Sequence, residues 1–217
     1  VKFVIIHYTG MQSEIESFKR LTKLESGVSC HYFINRKGIT TKIVEANRIA
    51  WHAGKSKWKN FKNLNENSIG IELVNRGHEY GYQNFTNQQI KSLIALCRNL
   101  KKKFKIKKEN FLGHSDVAPL RKMDPGEKFP WKKLSKYSLG IWHSKIKKRS
   151  LDLPYNKKVE KIFFKNLHKI GYRYFNITKR RLSDKLVIRA FQQRYLPKRV
   201  SGKIDQKTYE ICHFLAN

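Results

Sequence analysis

The sequence predicts a mixed α/β fold, with a central sheet flanked by helices, followed by a small all-α domain of three helices. Between residues 3 and 142, short apolar runs typical of strands alternate with segments of helical periodicity. After residue 155 only helical periodicity remains, and residues 144–154 are basic and aperiodic. We therefore predict a first domain over 1–143, a basic linker over 144–154 and a helical domain over 155–217.

The N-terminal part contains a strand, a helix and a hairpin in that order. Residues 3–7 are almost entirely apolar and predict a buried strand. Ser13 and Glu16 have the spacing of a helix capping box, and apolar residues follow at helical spacing at Ile15, Phe18, Leu21 and Leu24. Two strand-like runs, 30–35 and 41–44, flank a turn that contains Gly38, which predicts a β-hairpin.

The remaining elements of the first domain are a strand, a long helix and a short strand. Residues 68–74 alternate with period two, and Thr86 with Gln89 caps a helix with apolar positions at Ile90, Leu93, Ile94, Cys97 and Leu100. Residues 111–114 predict a strand that leads into a loop shaped by two prolines and a glycine. In the helical domain, periodic apolar residues predict one helix ending near Gly171, a second stopped by Pro197 and a third over about 209–215.

The composition limits the class of protein. A hydrophobic fraction of 40% with 12% aromatic residues excludes a disordered chain, and no apolar run approaches the roughly 20 residues that span a bilayer. The net charge of +31 attracts polyanions such as nucleic acid, anionic lipid or anionic cell-wall polymer, although a lysine-rich solvated surface explains it equally well. The three cysteines form no CxxC pair and support neither a zinc ribbon nor a disulfide framework.

Three residues have the chemistry of a catalytic zinc site. His7 ends the first strand, while His114 and Asp124 stand ten residues apart in the proline loop. Two imidazoles and one carboxylate are a ligand set that zinc prefers, with a fourth position left for water. Taken singly, each histidine is more often a structural residue.

Glu72 and Lys122 are candidates for the accompanying acid–base chemistry. Glu72 interrupts an apolar strand, so it either faces solvent or projects into a site where burial raises its pKa. Lys122 precedes Asp124 by two residues and could stabilise an oxyanion, although a solvated loop lysine is the simpler interpretation in so basic a chain.

Four ordered motifs carry a family resemblance. They are His7-Tyr8-Thr9, Trp51-His52-Ala53-Gly54, Ser68-Ile69-Gly70-Ile71-Glu72-Leu73-Val74-Asn75, and the loop from Gly113-His114-Ser115-Asp116 to Arg121-Lys122-Met123-Asp124-Pro125-Gly126. Together they resemble the zinc-dependent N-acetylmuramoyl-L-alanine amidases of the AmpD/AmiD type, whose fold is shared with peptidoglycan recognition proteins. The resemblance covers about residues 3–142.

The resemblance implies the role of each matching residue. His7, His114 and Asp124 would bind Zn²⁺, with Glu72 as general base and Lys122 as stabiliser of the transition state. The substrate groove would be lined by His52, Trp51, Tyr8 and Asn75, with a structural role in the core as the alternative for His52. The reaction would be hydrolysis of the amide between the lactyl group of N-acetylmuramic acid and the L-alanine of a peptidoglycan stem peptide.

The tail extends the resemblance to the AmiD type. Residues 190–197 and 202–208 are similar to a peptidoglycan-binding three-helix module. This implies peptidoglycan and muropeptides as partners, and a periplasmic enzyme of the bacterial cell envelope, in many members anchored by lipid to the outer membrane. We expect any such targeting segment to lie outside this chain, whose first apolar run is too short for a signal peptide. We expect a monomer.

Two other functions stay open at this stage. The first is a non-catalytic peptidoglycan recognition module on the same fold; such proteins usually lack a zinc ligand, and this chain has all three. The second is a nucleic-acid binder, suggested by the charge alone. Because the chain has no recognisable nucleic-acid reading motif, we expect no specific nucleic-acid partner.

Overall fold

The computed structural model describes residues 1–143 and 156–217, so the predicted linker over 144–154 lies outside the described residues. The strands run over Phe3–Tyr8 (β1), Tyr32–Ile34 (β2), Thr40–Lys42 (β3), Lys57–Trp58 (β4), Phe61–Lys62 (β5), Ser68–Leu73 (β6) and Phe111–Gly113 (β7). The helices run over Glu14–Thr22 (α1), Asn87–Phe104 (α2), His114–Val117 (α3), Trp131–Ser135 (α4), Lys157–Ile170 (α5), Asp184–Tyr195 (α6) and Gln206–Ala216 (α7).

The main sheet has five strands in the order β3-β2-β6-β1-β7. β1 is parallel to both β6 and β7, β2 is parallel to β6, and only the edge strand β3 is antiparallel. His7 on β1 pairs in register with Glu72 on β6, and His114 follows directly after β7. The carboxyl ends of parallel strands meet at one edge of a sheet, where open α/β folds bind their ligands.

The two faces of the sheet are covered by different helices. Val4 and Ile6 of β1 belong to an apolar cluster with the buried side of α2. Phe3 and Ile5, on the opposite face, belong to a cluster that contains Phe163 of α5 and Phe191 of α6, together with residues of α7. The C-terminal helices thus supply the second covering layer that a largely parallel sheet requires.

The mixed α/β fold with a helical C-terminal part is confirmed, and so are most of the predicted elements. Thr86 and Gln89 form the predicted capping box, with each side chain bonded to the backbone of the other residue. α1 differs from the prediction because it ends at Thr22, where Lys23 turns to an extended conformation. Its buried residues are Ser17 and Leu21, while Ile15 and Leu24 are exposed. The short elements β4, β5, α3 and α4 were not predicted.

We find no helix in 1–143 or 156–217 with the length and apolar character needed to cross a membrane.

Candidate metal and active site

The three predicted ligands meet at the carboxyl edge of the sheet, and all three are buried. Nδ1 of His7 lies 2.9 Å from Nδ1 of His114 and 3.0 Å from Oδ2 of Asp124, and the latter two atoms are 3.1 Å apart. The loop returns to the sheet because the Ser115 amide donates to the Asp124 carbonyl oxygen at 2.8 Å. A single small ion could therefore contact one donor atom of each residue.

The hydrogen bonds around His114 favour the tautomer with the proton on Nε2. This nitrogen lies 3.1 Å from the carbonyl oxygen of Ala53, and the donor Nη2 of Arg121 is further away, at 3.4 Å. Because a carbonyl oxygen can only accept, the shorter contact places the hydrogen of the neutral ring on Nε2. Nδ1 then has a free lone pair, and this lone pair points toward His7 and Asp124.

A longer chain of hydrogen bonds fixes the same tautomer at His7. The Ser68 hydroxyl donates to the Leu64 carbonyl oxygen at 2.5 Å, so it must accept from Nε2 of His52 at 3.3 Å. Nδ1 of His52 is then the acceptor for Nε2 of His7, at 3.0 Å. His7 therefore also presents an unprotonated Nδ1. Burial, and next the neighbouring His114, lower the pKa of His7 to about 4, so the ring is neutral near pH 7.

One nitrogen of each histidine and one carboxylate oxygen thus converge within hydrogen-bond distance of one another. A cation placed among them would be attracted to all three atoms. Two imidazole nitrogens and one carboxylate oxygen, each imidazole held through its other nitrogen, are the donor set and support that zinc sites use. The residues therefore fit the predicted metal.

Glu72 lies beside this cluster on the neighbouring strand. Its Oε2 is buried and has no hydrogen-bond partner among the described residues, and its side chain contributes to the same cleft. Burial, and next the negative charge of Asp124, raise the pKa of Glu72 to about 8. A carboxyl group that titrates near neutral pH is suited to accept and return a proton. Lys122 is exposed in the loop and lines the same cleft.

The cleft has a volume of about 310 Å³ and is also lined by three of the four predicted substrate residues, Tyr8, Trp51 and His52. Trp51 lies at the rim with 63% of its surface exposed. Asn75 is not in the lining: its side chain is buried and donates to the Gln83 carbonyl oxygen at 2.9 Å while accepting from the amides of Gly77 and Gln83. Its geometry is that of a loop organiser.

Two further residues of the cleft were not singled out from the sequence. Arg121 donates to the carbonyl oxygens of Ala53 and Lys55. It thereby holds the same Ala53 carbonyl group that is hydrogen-bonded to His114. Nδ1 of His78 lies within hydrogen-bond distance of the Tyr8 hydroxyl, at 2.8 Å, and its Nε2 lies 3.1 Å from Oε2 of Glu127. Arg121 belongs to the fourth motif but, as one of 47 basic residues, was given no role, and His78 lies in a loop without a distinctive local pattern.

Comparison with known proteins gives the site a family. Residues 1–127 match the family model Amidase_2, described as N-acetylmuramoyl-L-alanine amidase. The chain is 32% identical to the N-acetylmuramoyl-L-alanine amidase AmiD of Escherichia coli K12, over 99% of this chain and 82% of that protein.

Two solved structures are similar over nearly the whole chain. One is AmiD of E. coli in complex with anhydro-N-acetylmuramic acid-L-Ala-D-γ-Glu-L-Lys, with a TM-score of 0.86 and 31% identity over 99% of this chain and 88% of that one. The other is AmpDh3 of Pseudomonas aeruginosa in complex with an anhydromuramic pentapeptide, with a TM-score of 0.84 and 27% identity over 99% and 90%. The chain therefore belongs to the N-acetylmuramoyl-L-alanine amidase family.

Proposed function

We propose that this chain hydrolyses the amide bond between the lactyl group of N-acetylmuramic acid and the L-alanine of peptidoglycan stem peptides, with Zn²⁺ held by His7, His114 and Asp124. The observation that carries the proposal is the convergence of one possible ligand atom from each of His7, His114 and Asp124 beside Glu72 in an open cleft. When bound, the metal polarises the scissile carbonyl and lowers the pKa of water.

In this proposal the protein's own groups move the proton and stabilise charge. Glu72 accepts the proton of the attacking water and returns it to the leaving amine nitrogen, a role that suits a carboxyl group with its pKa raised to about 8. Lys122 donates hydrogen bonds to the oxygen on which negative charge develops. Both side chains line the cleft into which the three ligands face.

The charge of the cleft supports a muropeptide as substrate. Its lining contains four basic residues, Arg20, Arg76, Arg121 and Lys122, and three acidic ones, Glu72, Glu79 and Asp124. Stem peptides carry free carboxylates that the cationic side chains attract. The structures of E. coli AmiD and P. aeruginosa AmpDh3 contain anhydromuramyl peptides. We therefore propose that muropeptides occupy the same cleft here, with Tyr8 and Trp51 contacting the substrate.

The location and the C-terminal helices follow from the proposed substrate. We propose that the enzyme acts in the periplasm, where peptidoglycan lies, as a monomer. Helices α5–α7 would add a peptidoglycan-binding surface that raises the local concentration of substrate. A lipid anchor would be the means of attachment to the outer membrane.

The test is mass spectrometry of purified muropeptides incubated with the protein, before and after removal of metal by a chelator. We expect release of free stem peptide, its loss on chelation and its return on addition of zinc. The Glu72→Gln variant is the matched control, because it keeps the three ligands. Absence of cleavage by protein that contains stoichiometric zinc would favour the alternative, a non-catalytic recognition module, whose binding would then be measured on the same muropeptides.

A further inference from the structure

Asp116 is a carboxylate outside the metal cluster that accepts hydrogen bonds from three different residues. It lies in α3, two residues after His114, and is buried. Its Oδ2 accepts from the Gly113 amide at 2.8 Å and from the guanidinium of Arg194, and its Oδ1 accepts from the Tyr172 hydroxyl. Two of its three partners therefore come from the C-terminal helical part, 56 and 78 residues further along the chain.

Arg194 connects three elements of the first domain. This residue of α6 is buried, and its Nη2 donates to the Phe111 carbonyl oxygen of β7 at 2.9 Å. Its guanidinium carbon lies 3.9 Å from the centre of the Trp131 ring on α4. Arg194 thus binds the last strand before His114, the side chain of α3 and the helix behind them.

The stability of the fold alone does not explain why the Arg194–Asp116 ion pair is buried. Removing an arginine and a carboxylate from water costs several kcal/mol per ion, and apolar residues of similar volume are often as stable or more so. Around the ion pair, the C-terminal part already contacts residues 1–143 through apolar side chains. Tyr172, for example, packs edge-on against Trp58 with ring centres 4.9 Å apart. The ion pair adds directional bonds to the backbone at Phe111 and Gly113, immediately before His114.

We propose that Arg194 and Tyr172 are positioning residues of the metal site, which hold Asp116 and through it the turn that presents His114. This inference rests on the proposed metal-binding function. It assigns the C-terminal helices a role inside the site, in addition to any contact with the cell wall, so that α6 and the loop after α5 are structural parts of the metal centre.

A second contact from the same helix supports the assignment. Gln193, adjacent to Arg194, donates from Nε2 to Oε2 of Glu127 at 3.3 Å. The same carboxylate oxygen lies 3.1 Å from Nε2 of His78, whose Nδ1 receives the Tyr8 hydroxyl. Consecutive residues of α6 therefore reach two walls of the cleft, one through Asp116 and the other through Glu127.

The variants that test the proposal are Tyr172→Phe and Arg194→Met in the full chain. Tyr172→Phe removes one hydroxyl and keeps the packing of the ring, so it is informative even if Arg194→Met does not fold. The matched control is Gln192→Ala, because Gln192 is buried on the same helix. Among the described residues its side chain bonds only within the C-terminal part, to Ser201, Gly202, Lys203 and Thr208.

The first readout is the Kd for Co²⁺, measured by chelator competition below the melting temperature of every variant, together with the visible spectrum of the bound ion. We expect Kd to rise about tenfold or more in Tyr172→Phe and Arg194→Met, with an altered spectrum, because residues that orient ligands typically change metal affinity by about 10–100-fold. Gln192→Ala should lower Tm and leave Kd and spectrum unchanged. Wild-type affinity and spectrum in folded Tyr172→Phe and Arg194→Met would overturn the proposal.

The second readout needs no metal and separates this inference from the proposed function. In metal-free protein the Gly113 amide, bonded to Asp116, should exchange its hydrogen at least about tenfold faster in Tyr172→Phe and Arg194→Met than in wild type or Gln192→Ala. If wild type fails to bind Co²⁺ or Zn²⁺, the proposed function fails, and faster exchange would still establish that the C-terminal part holds the His114 turn. Unchanged exchange at Gly113 would refute that.

Discussion

Replacing His52 tests whether a hydrogen-bond relay selects the tautomer of His7. In the structure His52 accepts from Nε2 of His7 and donates to Ser68, whose hydroxyl donates to the Leu64 carbonyl oxygen. Phenylalanine at position 52 removes the acceptor. The His52 ring packs directly on the backbone of Gly70. The contact is so close that a Cβ at Gly70 would lie only 2.3 Å from Cγ of His52.

The expected magnitude follows from the two states that metal binding connects. Without metal, His7 of the His52→Phe variant can carry its proton on Nδ1 and donate it to Asp124, 3.0 Å away. With metal, the proton must move to Nε2, where no acceptor remains. An unsatisfied buried donor costs about 1–3 kcal/mol, which corresponds to a loss of about 5–150-fold in metal affinity.

The assay is zinc affinity by chelator competition, with ¹⁵N shifts of the His7 ring in metal-free protein to report its tautomer. His52→Gln, which offers a carbonyl oxygen as acceptor, should recover part of the loss. His31→Gln is the control: His31 is also buried, hydrogen-bonded to Gly70 and Arg48 and packed edge-on against His52, but it has no hydrogen bond to His7. Equal zinc affinity in His52→Phe and wild type would refute the reasoning, as would equal losses in His52→Phe and His31→Gln.

Three further expectations concern Glu72 and Lys122. Glu72→Ala should retain zinc by metal analysis and lower kcat by about 10²–10⁴-fold; full turnover would remove Glu72 as the base. Lys122→Ala should lower kcat by about 10–10³-fold with a smaller change in KM, and a change in KM alone would make Lys122 a substrate-binding residue. In metal-free protein, the folded state keeps the Glu72 proton between its usual pKa of 4.5 and about 8, whereas the unfolded state loses it. The free energy of unfolding should therefore fall as pH rises through that window, by up to about 1.4 kcal/mol per pH unit. In denaturant titrations, Glu72→Gln should flatten this dependence on pH. Equal slopes in wild type and Glu72→Gln would contradict the buried position of the carboxyl group.

The sequence predicted the ligand-bearing residues better than the arrangement that unites them. His7 and His114 were recognisable because each ends an apolar run, and Asp124 because it stands in a proline loop. The order of the strands was not predictable from local pattern, since periodicity does not say which strands are neighbours. The placement of β1 between β6 and β7 is what brings His7 next to both Glu72 and His114.

The contacts that His52 and Asn75 make could not be predicted either, because local pattern does not say which residues from distant parts of the chain become neighbours. The motif resemblance assigned His52 to the substrate groove; the structure does place it in the lining of the cleft but commits both ring nitrogens to His7 and Ser68. Asn75 was assigned to the groove on the same grounds and instead bonds within its loop. Both assignments to substrate stay predictions, because a motif records that a residue matters without recording what it contacts.

The sequence pattern predicts a boundary at residues 144–154 between mixed α/β structure and purely helical structure. One apolar cluster nevertheless contains residues from both sides of this boundary. Phe3 and Ile5 of β1 share a cluster with Phe163 and Phe191 of the C-terminal helices. A parallel strand buried on both faces needs a cover on each, and α2 supplies only one of them. The C-terminal helices supply the other, directly behind the strand that carries His7. A change at this packed face should therefore be measurable as a change in metal binding, and Arg194 and Tyr172 are the residues where that coupling is most direct.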